Sequence, residues 1–185
     1  MDQYYYTVSS LPYLSMETKP ELTIEQFLKQ CSAEVSEGKM RILTNVTLVP
    51  SPVHNTLPGI VKKWFAFAAS FSNQLIQGRA KNLNRSAQKY LRPGDEVFEA
   101  QLSARQLMNI ENPLEAELQQ IRSLYQFLDD QQVGHFFDFH FLIIYKLKLE
   151  LLLRKFSFTQ ERGQENFNQI DEHFSSIISS GGIHE

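Results

Sequence analysis

The chain has a single cysteine and no long uncharged apolar run. Cys31 is the one cysteine among the 185 residues, which excludes a disulfide between two residues of this chain and a thiolate metal cluster within it. We interpret Cys31 as a small residue within a helix. In the most apolar region, the longest stretch without a charge or histidine is Phe141 to Tyr145. A membrane-spanning helix needs roughly 20 apolar residues, so we expect no transmembrane segment.

The sequence motifs of nucleotide-binding and acyl-transfer enzymes are also missing. There is no Gly-x4-Gly-Lys-Ser/Thr loop, no Gly-x-Gly-x2-Gly turn and no Gly-x-Ser-x-Gly elbow. Asp129 and Asp130 are adjacent carboxylates, but neighbouring positions diverge on a helix, and the following residues 131–134 are typical of a helix end. We therefore expect a solvated helix terminus there, and a protein that is not an enzyme and uses no cofactor or small-molecule substrate.

A group of candidate metal ligands lies between His135 and His140. His135, Asp138 and His140 have the spacing His-x2-Asp-x-His. On a continuous helix, His135 and Asp138 would share a face while His140 would point away, so the three side chains could not converge without distortion. We therefore expect no metal site.

Charge is unevenly distributed, although the net charge is only −3. No acidic residue occurs between Pro50 and Gly94. The basic residues in that stretch are Lys62, Lys63, Arg79, Lys81, Arg85, Lys89 and Arg92. The simplest interpretation is internal: a basic helix packs beside acidic helices, with each exposed pair contributing under about 1 kcal/mol. The alternative is an acidic partner surface, an anionic membrane face or nucleic acid.

Helical signals dominate the first two thirds of the chain. Thr23 and Gln26 form a capping-box pattern, and Asn112 followed by Pro113 is a second strong helix start. Residues 40–49 fit a short helix or a strand, and apolar periodicity predicts a helix or helix pair from about 60 to 91 with Gly78 as its weak point. We expect a proline-rich loop at about 50–58 and a turn at about 92–95.

Aromatic residues of the predicted long helix are better suited to a core than to base stacking. Trp64, Phe65, Phe67 and Phe71 are interleaved with small apolar residues, and the basic residues flank them instead of alternating with them. We therefore expect these rings, Trp64 above all, to have a structural role.

The segment from Phe136 to Arg154 is nearly all apolar. Its first residues alternate as a strand would, but its length favours a helix. Lys146, Glu150 and Arg154 lie four residues apart on one face, with Glu150 before Arg154 in the favourable order, and the remaining faces are apolar. A last amphipathic helix is predicted from Phe167 to Ile177. The sequence thus predicts a mainly α protein, a single helical domain over residues 1–185, built as a bundle with one long helix and a buried central apolar helix.

Four segments together resemble a known bacterial family. They are YYYTVSSLPYL at 4–14, the Trp64 helix continuing into GRAKNL at 78–83, NPLEAELQQIRSLYQFLDD at 112–130, and HFFDFHFLIIYKLKLELLLRKFSF at 135–158 followed by Gly163 and Phe167. Their order and spacing resemble a family whose members accompany the subunits of V-type (A/V-type) rotary ATPases. That family is similar to a shortened form of the C-type stalk subunit of V-type ATPases, which is named d in eukaryotes, an all-helical protein between the rotor shaft and the proteolipid ring.

The resemblance implies a non-catalytic subunit or accessory protein that links the central stalk to the membrane ring, in proton or other ion transport coupled to ATP. Its partners would be stalk and ring subunits, and it would be cytoplasmic and peripheral to the inner membrane, where contact with the membrane surface is expected. An initial Met-Asp-Gln followed by three tyrosines, with no basic region or apolar signal core, also predicts the cytoplasm.

Site residues follow from the resemblance and the charge pattern together. The residues expected to bind the partner are Lys62, Lys63, Arg79, Lys81 and Arg85. The residues expected to be structural are Trp64, Asp138, Lys146 and Arg154, with Asp138 buried in an internal ion pair. The alternative is a basic-helix adaptor for nucleic acid or another anionic surface, although nucleic acid is not the expected partner.

Overall fold

This computed structural model describes residues 3–49 and 57–158, in which all regular secondary structure is helical. These ranges contain seven α-helices, one 3₁₀ turn and no strand, so the prediction of a mainly α fold is confirmed. The helices are α1 (Tyr5–Ser10), α2 (Ile24–Cys31), α3 (Glu37–Asn45), α4 (Gly59–Asn82), α5 (Phe98–Leu107), α6 (Pro113–Gln132) and α7 (Phe139–Lys155), and the 3₁₀ turn is Gln88–Tyr90. Most of the predicted loop at 50–58 and the predicted helix from Phe167 to Ile177 lie outside the described residues.

Helix α7 is the centre of the bundle. Eleven of its 17 residues are buried, and it packs against α2, α3, α4 and α6. The buried apolar helix predicted from sequence is therefore confirmed. It begins at Phe139 and not at Phe136, because Asp138 is the N-cap residue: its side chain accepts a hydrogen bond from the Phe141 N–H, 2.9 Å away.

Two lysines of α7 are buried, and each has oxygen partners. Lys146 is only 2% exposed; its Nζ donates to the Val46 carbonyl and lies 2.6 Å from Oε1 of Glu150. Glu150 in turn accepts a hydrogen bond from the Leu48 N–H at 3.2 Å. The Nζ of Lys148 donates to Asp129 and Gln132. A buried ammonium group needs such partners, and these contacts therefore fix the chain before α4 and the end of α6 against α7.

Arg154 has a different partner from the one that its spacing suggested. Its guanidinium lies 2.6 Å from Oε1 of Glu117 on α6, whereas Glu150 pairs with Lys146. The Glu150 and Arg154 positions satisfy the i,i+4 rule, but Glu150 lies beside a more deeply buried cation, where an ion pair is less screened by water. Arg154 therefore pairs α7 with α6, and its structural role stays a prediction.

Helix α4 is the longest helix among the described residues and ends at Asn82; of the helix or helix pair predicted from about 60 to 91, the part beyond Asn82 forms no α-helix and contains only the 3₁₀ turn Gln88–Tyr90. Asn84 adopts a left-handed conformation with φ of 50°. The Arg85 N–H then donates to the Ala80 carbonyl at 2.9 Å, and the Asn84 N–H donates to the Lys81 carbonyl at 3.2 Å. This pair of hydrogen bonds is a Schellman motif, which satisfies the last carbonyls of the helix and turns the chain away.

Gly78 does not interrupt α4; it allows α5 to approach. A Cβ atom at this position would lie 1.8 Å from the sulfur of Met108, just after α5. The missing side chain therefore provides the space in which Met108 packs. No sequence feature had predicted α5, yet its contact with α4 is the most extensive between any two helices of the described part.

Two polar residues of α4 position the chain that leads to α5. The Asn73 side-chain amide donates to the Arg92 carbonyl and its oxygen accepts from the Arg92 N–H, both at 2.8 Å. The Ser70 hydroxyl exchanges hydrogen bonds with the backbone of Val97. Between these two anchors the chain bends at Gly94, whose positive φ of 152° suits glycine.

The pairing of Lys146 gives a first prediction. Substitution Lys146→Ala leaves the Val46 carbonyl without its donor and Glu150, 17% exposed, without its counterion. Loss of one member of a buried pair costs about 3 kcal/mol, which we expect as the decrease in free energy of unfolding in urea. Arg41→Ala, which removes an exposed pair with Glu37, is the control and should change the stability little. A Lys146→Ala protein as stable as the control would show that this pair does not hold α7.

A second prediction concerns Cys31, which is fully buried. Burial, helped by the negative charge of Glu34, raises the pKa of its thiol to about 12. The thiolate is the reactive form, so at pH 8 we expect alkylation by iodoacetamide in the native protein to be limited by unfolding, and to become rapid in urea. Rapid alkylation of the folded protein would contradict the interpretation of Cys31 as a core residue.

Candidate functional site

The end of α4 presents a cluster of exposed basic residues, which we name the basic end. Its members are Arg79, Lys81, Arg85 and Lys89. Two large apolar side chains beside them, Leu83 and Tyr90, are 67% and 64% exposed. Leu83 directly follows the last residue of α4, and Tyr90 lies beyond the Schellman motif at Asn84, where the chain has left the axis of α4. The result is a mixed basic and apolar surface, of the composition that protein interfaces favour.

The other two residues predicted to bind the partner lie elsewhere. Lys62 and Lys63 are in the first turns of α4, and 16 residues of helix separate Lys63 from Arg79, which corresponds to about 24 Å at 1.5 Å per residue. Lys63 is exposed and its Nζ donates to Gln131 of α6 at 3.2 Å. The five predicted residues therefore form two separate groups, one at each end of α4.

Arg79 also lies in an acidic cleft. A cavity of about 360 Å³ between the ends of α4 and α5 and the start of α6 is lined by Arg79, Glu111 and Glu117, among others. Glu117 is the ion-pair partner of Arg154. At Arg79, the internal interpretation of the charge pattern thus has structural support, because the basic helix does pack beside an acidic one there.

A second cavity lies between the N-terminal segment and the pair α6 and α7. It has a volume of about 750 Å³, and its lining includes apolar and aromatic groups together with Lys148 and its partners Asp129 and Gln132. Asp129, expected to be a solvated carboxylate, is 45% exposed but is paired with this buried lysine. The charge of Lys148 in the cavity wall is therefore already balanced by Asp129, and the rest of the wall suits apolar side chains.

Side chains of α6 and α7 bind the N-terminal segment by its backbone. The Tyr125 hydroxyl donates to the Leu14 carbonyl at 3.0 Å, and the Tyr145 hydroxyl donates to the Pro12 carbonyl at 2.8 Å. Lys155 donates to the Met16 carbonyl. Burial raises the pKa of Tyr125 to about 12, with a smaller contribution from the negative charge of Asp129, and burial also raises the pKa of Tyr145. Both phenols therefore stay protonated and act as donors at neutral pH.

These anchors were not found by sequence reasoning. Tyr125 lies among the apolar residues of α6, and nothing in the periodicity of α7 distinguishes Tyr145 from its apolar neighbours. A buried tyrosine needs a partner for its hydroxyl group, so tyrosines on the apolar face of a predicted helix were the available signal. The sequence does not specify which carbonyls they reach, since those lie more than 100 residues away.

His135, Asp138 and His140 meet at the corner between α6 and α7. One ligand atom from each lies within 4.8 Å of the others. The Nδ1 of His135 is 2.5 Å from Oδ2 of Asp138 and 3.3 Å from Nδ1 of His140. The prediction that the three cannot converge is wrong, because residues 135–138 are not helical: Gly134, with φ of 86°, ends α6, and only His140 lies on α7.

Ionisation in this cluster follows from burial and hydrogen bonding. Burial alone would raise the pKa of Asp138, but hydrogen bonds from His135 and from the Phe141 N–H outweigh it and hold that pKa below its ordinary value. Burial lowers the pKa of His140, although the charge of Asp138 acts in the opposite direction. At neutral pH the cluster therefore combines an ionised carboxylate with a neutral imidazole at His140.

The residues predicted to be structural have the following positions. Trp64 is fully buried, and its indole N–H donates to the Thr47 carbonyl at 3.0 Å, so its expected place in the core is confirmed. Asp138, whose side chain is 22% exposed, is partly buried and interacts with His135 as well as capping α7.

In the described ranges, no helix has the length and apolar character that crossing a bilayer requires.

The N-cap at Asp138 gives a third prediction. Asp138→Leu removes the acceptor for the Phe141 N–H, and loss of such a cap costs about 1–2 kcal/mol, measured as the free energy of unfolding in the presence of a metal chelator. Asp138→Asn keeps the size of the side chain and an acceptor oxygen, so it is the matched control. Its loss of unfolding free energy should be smaller. If the leucine variant is as stable as the wild-type protein, Asp138 is a surface residue without a structural role.

Comparison with known proteins finds no relative of this chain. It matches no protein-family model, no curated protein and no solved structure.

Proposed function

We propose that this chain is a non-catalytic subunit or accessory protein of a V-type rotary ATPase, where it links the central stalk to the membrane ring. The observation on which the proposal depends most is the basic end of α4, an exposed basic and apolar surface on an otherwise acidic protein. This role requires no reaction by the chain itself, only a rigid helical body with separate binding surfaces.

The proposal also depends on the sequence resemblance, and it requires the N-terminal segment to be part of one rigid body. Three of the four segments that resemble the ATPase-associated family contact one another: residues 4–14 receive hydrogen bonds from Tyr125 in the third segment and from Tyr145 in the fourth. The Tyr4 N–H also donates to the Phe137 carbonyl at 2.6 Å.

The charge distribution suggests how two partners would be distinguished. The basic end would bind an acidic surface of the ring or the lipid head groups, and the acidic residues exposed on α5 and at the start of α6, such as Glu99 and Glu115, would face a basic stalk subunit. Complementary charge of this kind contributes mainly to orientation and association rate.

A second function, binding to nucleic acid or another anionic surface, is favoured by one observation. Tyr90 is an exposed aromatic ring close in sequence to Arg85 and Lys89, which is the combination that single-stranded nucleic acid binds by stacking and phosphate contacts. This function predicts affinity that falls steeply as salt concentration rises.

The fourth prediction tests both functions with one set of variants. The tagged protein is recovered from its native membranes in mild detergent, and the co-purified proteins are identified by mass spectrometry. We expect V-type ATPase stalk and ring subunits with the wild-type protein. The triple variant carries Arg79→Glu, Lys81→Glu and Arg85→Glu. With it, recovery of either the stalk subunits or the ring subunits should fall at least about tenfold, because the reversed charges repel the acidic partner.

The matched control reverses three exposed basic residues outside the basic end, with the same change in net charge: Lys19→Glu, Lys29→Glu and Arg41→Glu. Both triple variants are first compared with the wild-type protein by circular dichroism. If the basic-end variant recovers ATPase subunits as well as the control does, this surface is not the interface. Recovery of nucleic-acid proteins without ATPase subunits would contradict the ATPase function and support the second one.

A further inference from the structure

The corner between α6 and α7 brings together three side chains with metal-binding chemistry. We propose that His135, Asp138 and His140 bind one divalent transition-metal ion of the Zn²⁺ class. The inference is independent of the ATPase proposal, since it depends only on the geometry of the corner. It reverses the sequence prediction of no metal, whose premise was a continuous helix through His135.

The donor atoms are of the right kind. Imidazole nitrogen suits Zn²⁺, Fe²⁺, Ni²⁺ and Cu²⁺, and two imidazoles with one carboxylate form a common ligand set for such ions. Calcium and magnesium prefer sites formed only by oxygen ligands, so the two histidines select against them. The single negative charge of Asp138 offsets part of the charge of the ion.

One spacing between the donor atoms already fits a tetrahedral ion, and a second needs a small change. A Zn–N bond of about 2.0–2.1 Å places neighbouring tetrahedral ligand atoms about 3.3 Å apart. The Nδ1 atoms of His135 and His140 are 3.3 Å apart. The Nδ1 of His135 and Oδ2 of Asp138, now 2.5 Å apart, would have to separate by about 0.8 Å to reach the same spacing. A small side-chain rotation is enough for that change.

The backbone fixes the three residues before any ion binds. Oδ1 of Asp138 accepts from the Phe141 N–H, which orients the carboxylate and leaves Oδ2 directed at His135. The backbone N–H of His135 donates to the Gln132 carbonyl at 2.9 Å, and His140 is on the first turn of a buried helix. Ligands already held in position lose little conformational freedom when they bind.

The site is accessible to solvent. The side chains of His135 and Asp138 are 35% and 22% exposed, so an ion can enter and keep water in its remaining coordination position. A three-ligand site of this kind differs from a closed four-ligand site, which only stabilises a fold. Burial lowers the pKa of His140, and the charge of Lys63, exposed on α4, lowers it further, so Lys63 acts against a cation at the same place.

The fifth prediction is tested by titrating the full-length, untagged and chelator-treated protein with ZnCl₂ in a calorimeter. We expect one Zn²⁺ per chain above background. His140→Ala should weaken binding at least about tenfold, since loss of even an indirect supporting residue costs 10–100-fold in typical sites. His140 is the informative residue because the cap at Asp138 and its contact with His135 do not require it.

Two controls separate this site from other histidines and from misfolding. Val133→Ala changes a neighbouring exposed residue that is not a ligand and should bind Zn²⁺ as the wild-type protein does. His54, His173 and His184 are present in every variant, so the double variant His135→Ala/His140→Ala measures their background. Bound Zn²⁺ should also raise the melting temperature of the wild-type protein and not that of the double variant. If the wild-type protein binds no more Zn²⁺ than the double variant, the proposal is wrong.

Discussion

The burial of two lysines on one apolar helix is the constraint on which the rest of the fold depends. A buried ammonium group is stable only when oxygen atoms surround it, so Lys146 and Lys148 fix what can lie next to α7. Lys146 donates to the Val46 carbonyl in the chain before α4 and pairs with Glu150 on α7 itself. Lys148 donates to Asp129 at the end of α6. Apolar packing alone would let a helix this uniform rotate or slide between its neighbours, whereas these contacts allow one position.

Helix α4 separates two regions with different chemistry. At its start, Lys63 lies near the cluster of His135, Asp138 and His140, and at its end the basic side chains stand beside exposed Leu83 and Tyr90. The helix between them is rigid, since its middle is a buried aromatic stripe and α5 packs along it. A body of this form can hold two binding events at a fixed separation, which is the mechanical requirement for an adaptor.

Sequence reasoning succeeded where the signal was local. The capping box at Thr23 and the cap at Asn112 are both present, because each depends on residues within one turn of a helix. It failed where one backbone angle changes the outcome. Asn84 ends α4 inside an unbroken apolar period, and Gly134 allows His135 to turn towards His140. Neither residue is visible in a hydrophobic pattern, because the pattern records side chains and not the sign of φ.

The N-terminal segment is bound through its carbonyl groups, and this has an evolutionary consequence. Tyr125, Tyr145 and Lys155 recognise backbone oxygens at positions 12, 14 and 16, so these hydrogen bonds place no demand on which side chains occupy those positions. Residues 12, 14 and 16 line the larger cavity. Substitutions there can therefore alter the shape and polarity of the cavity wall while the segment stays in register, so that specificity can diverge among descendants of one scaffold without loss of its architecture.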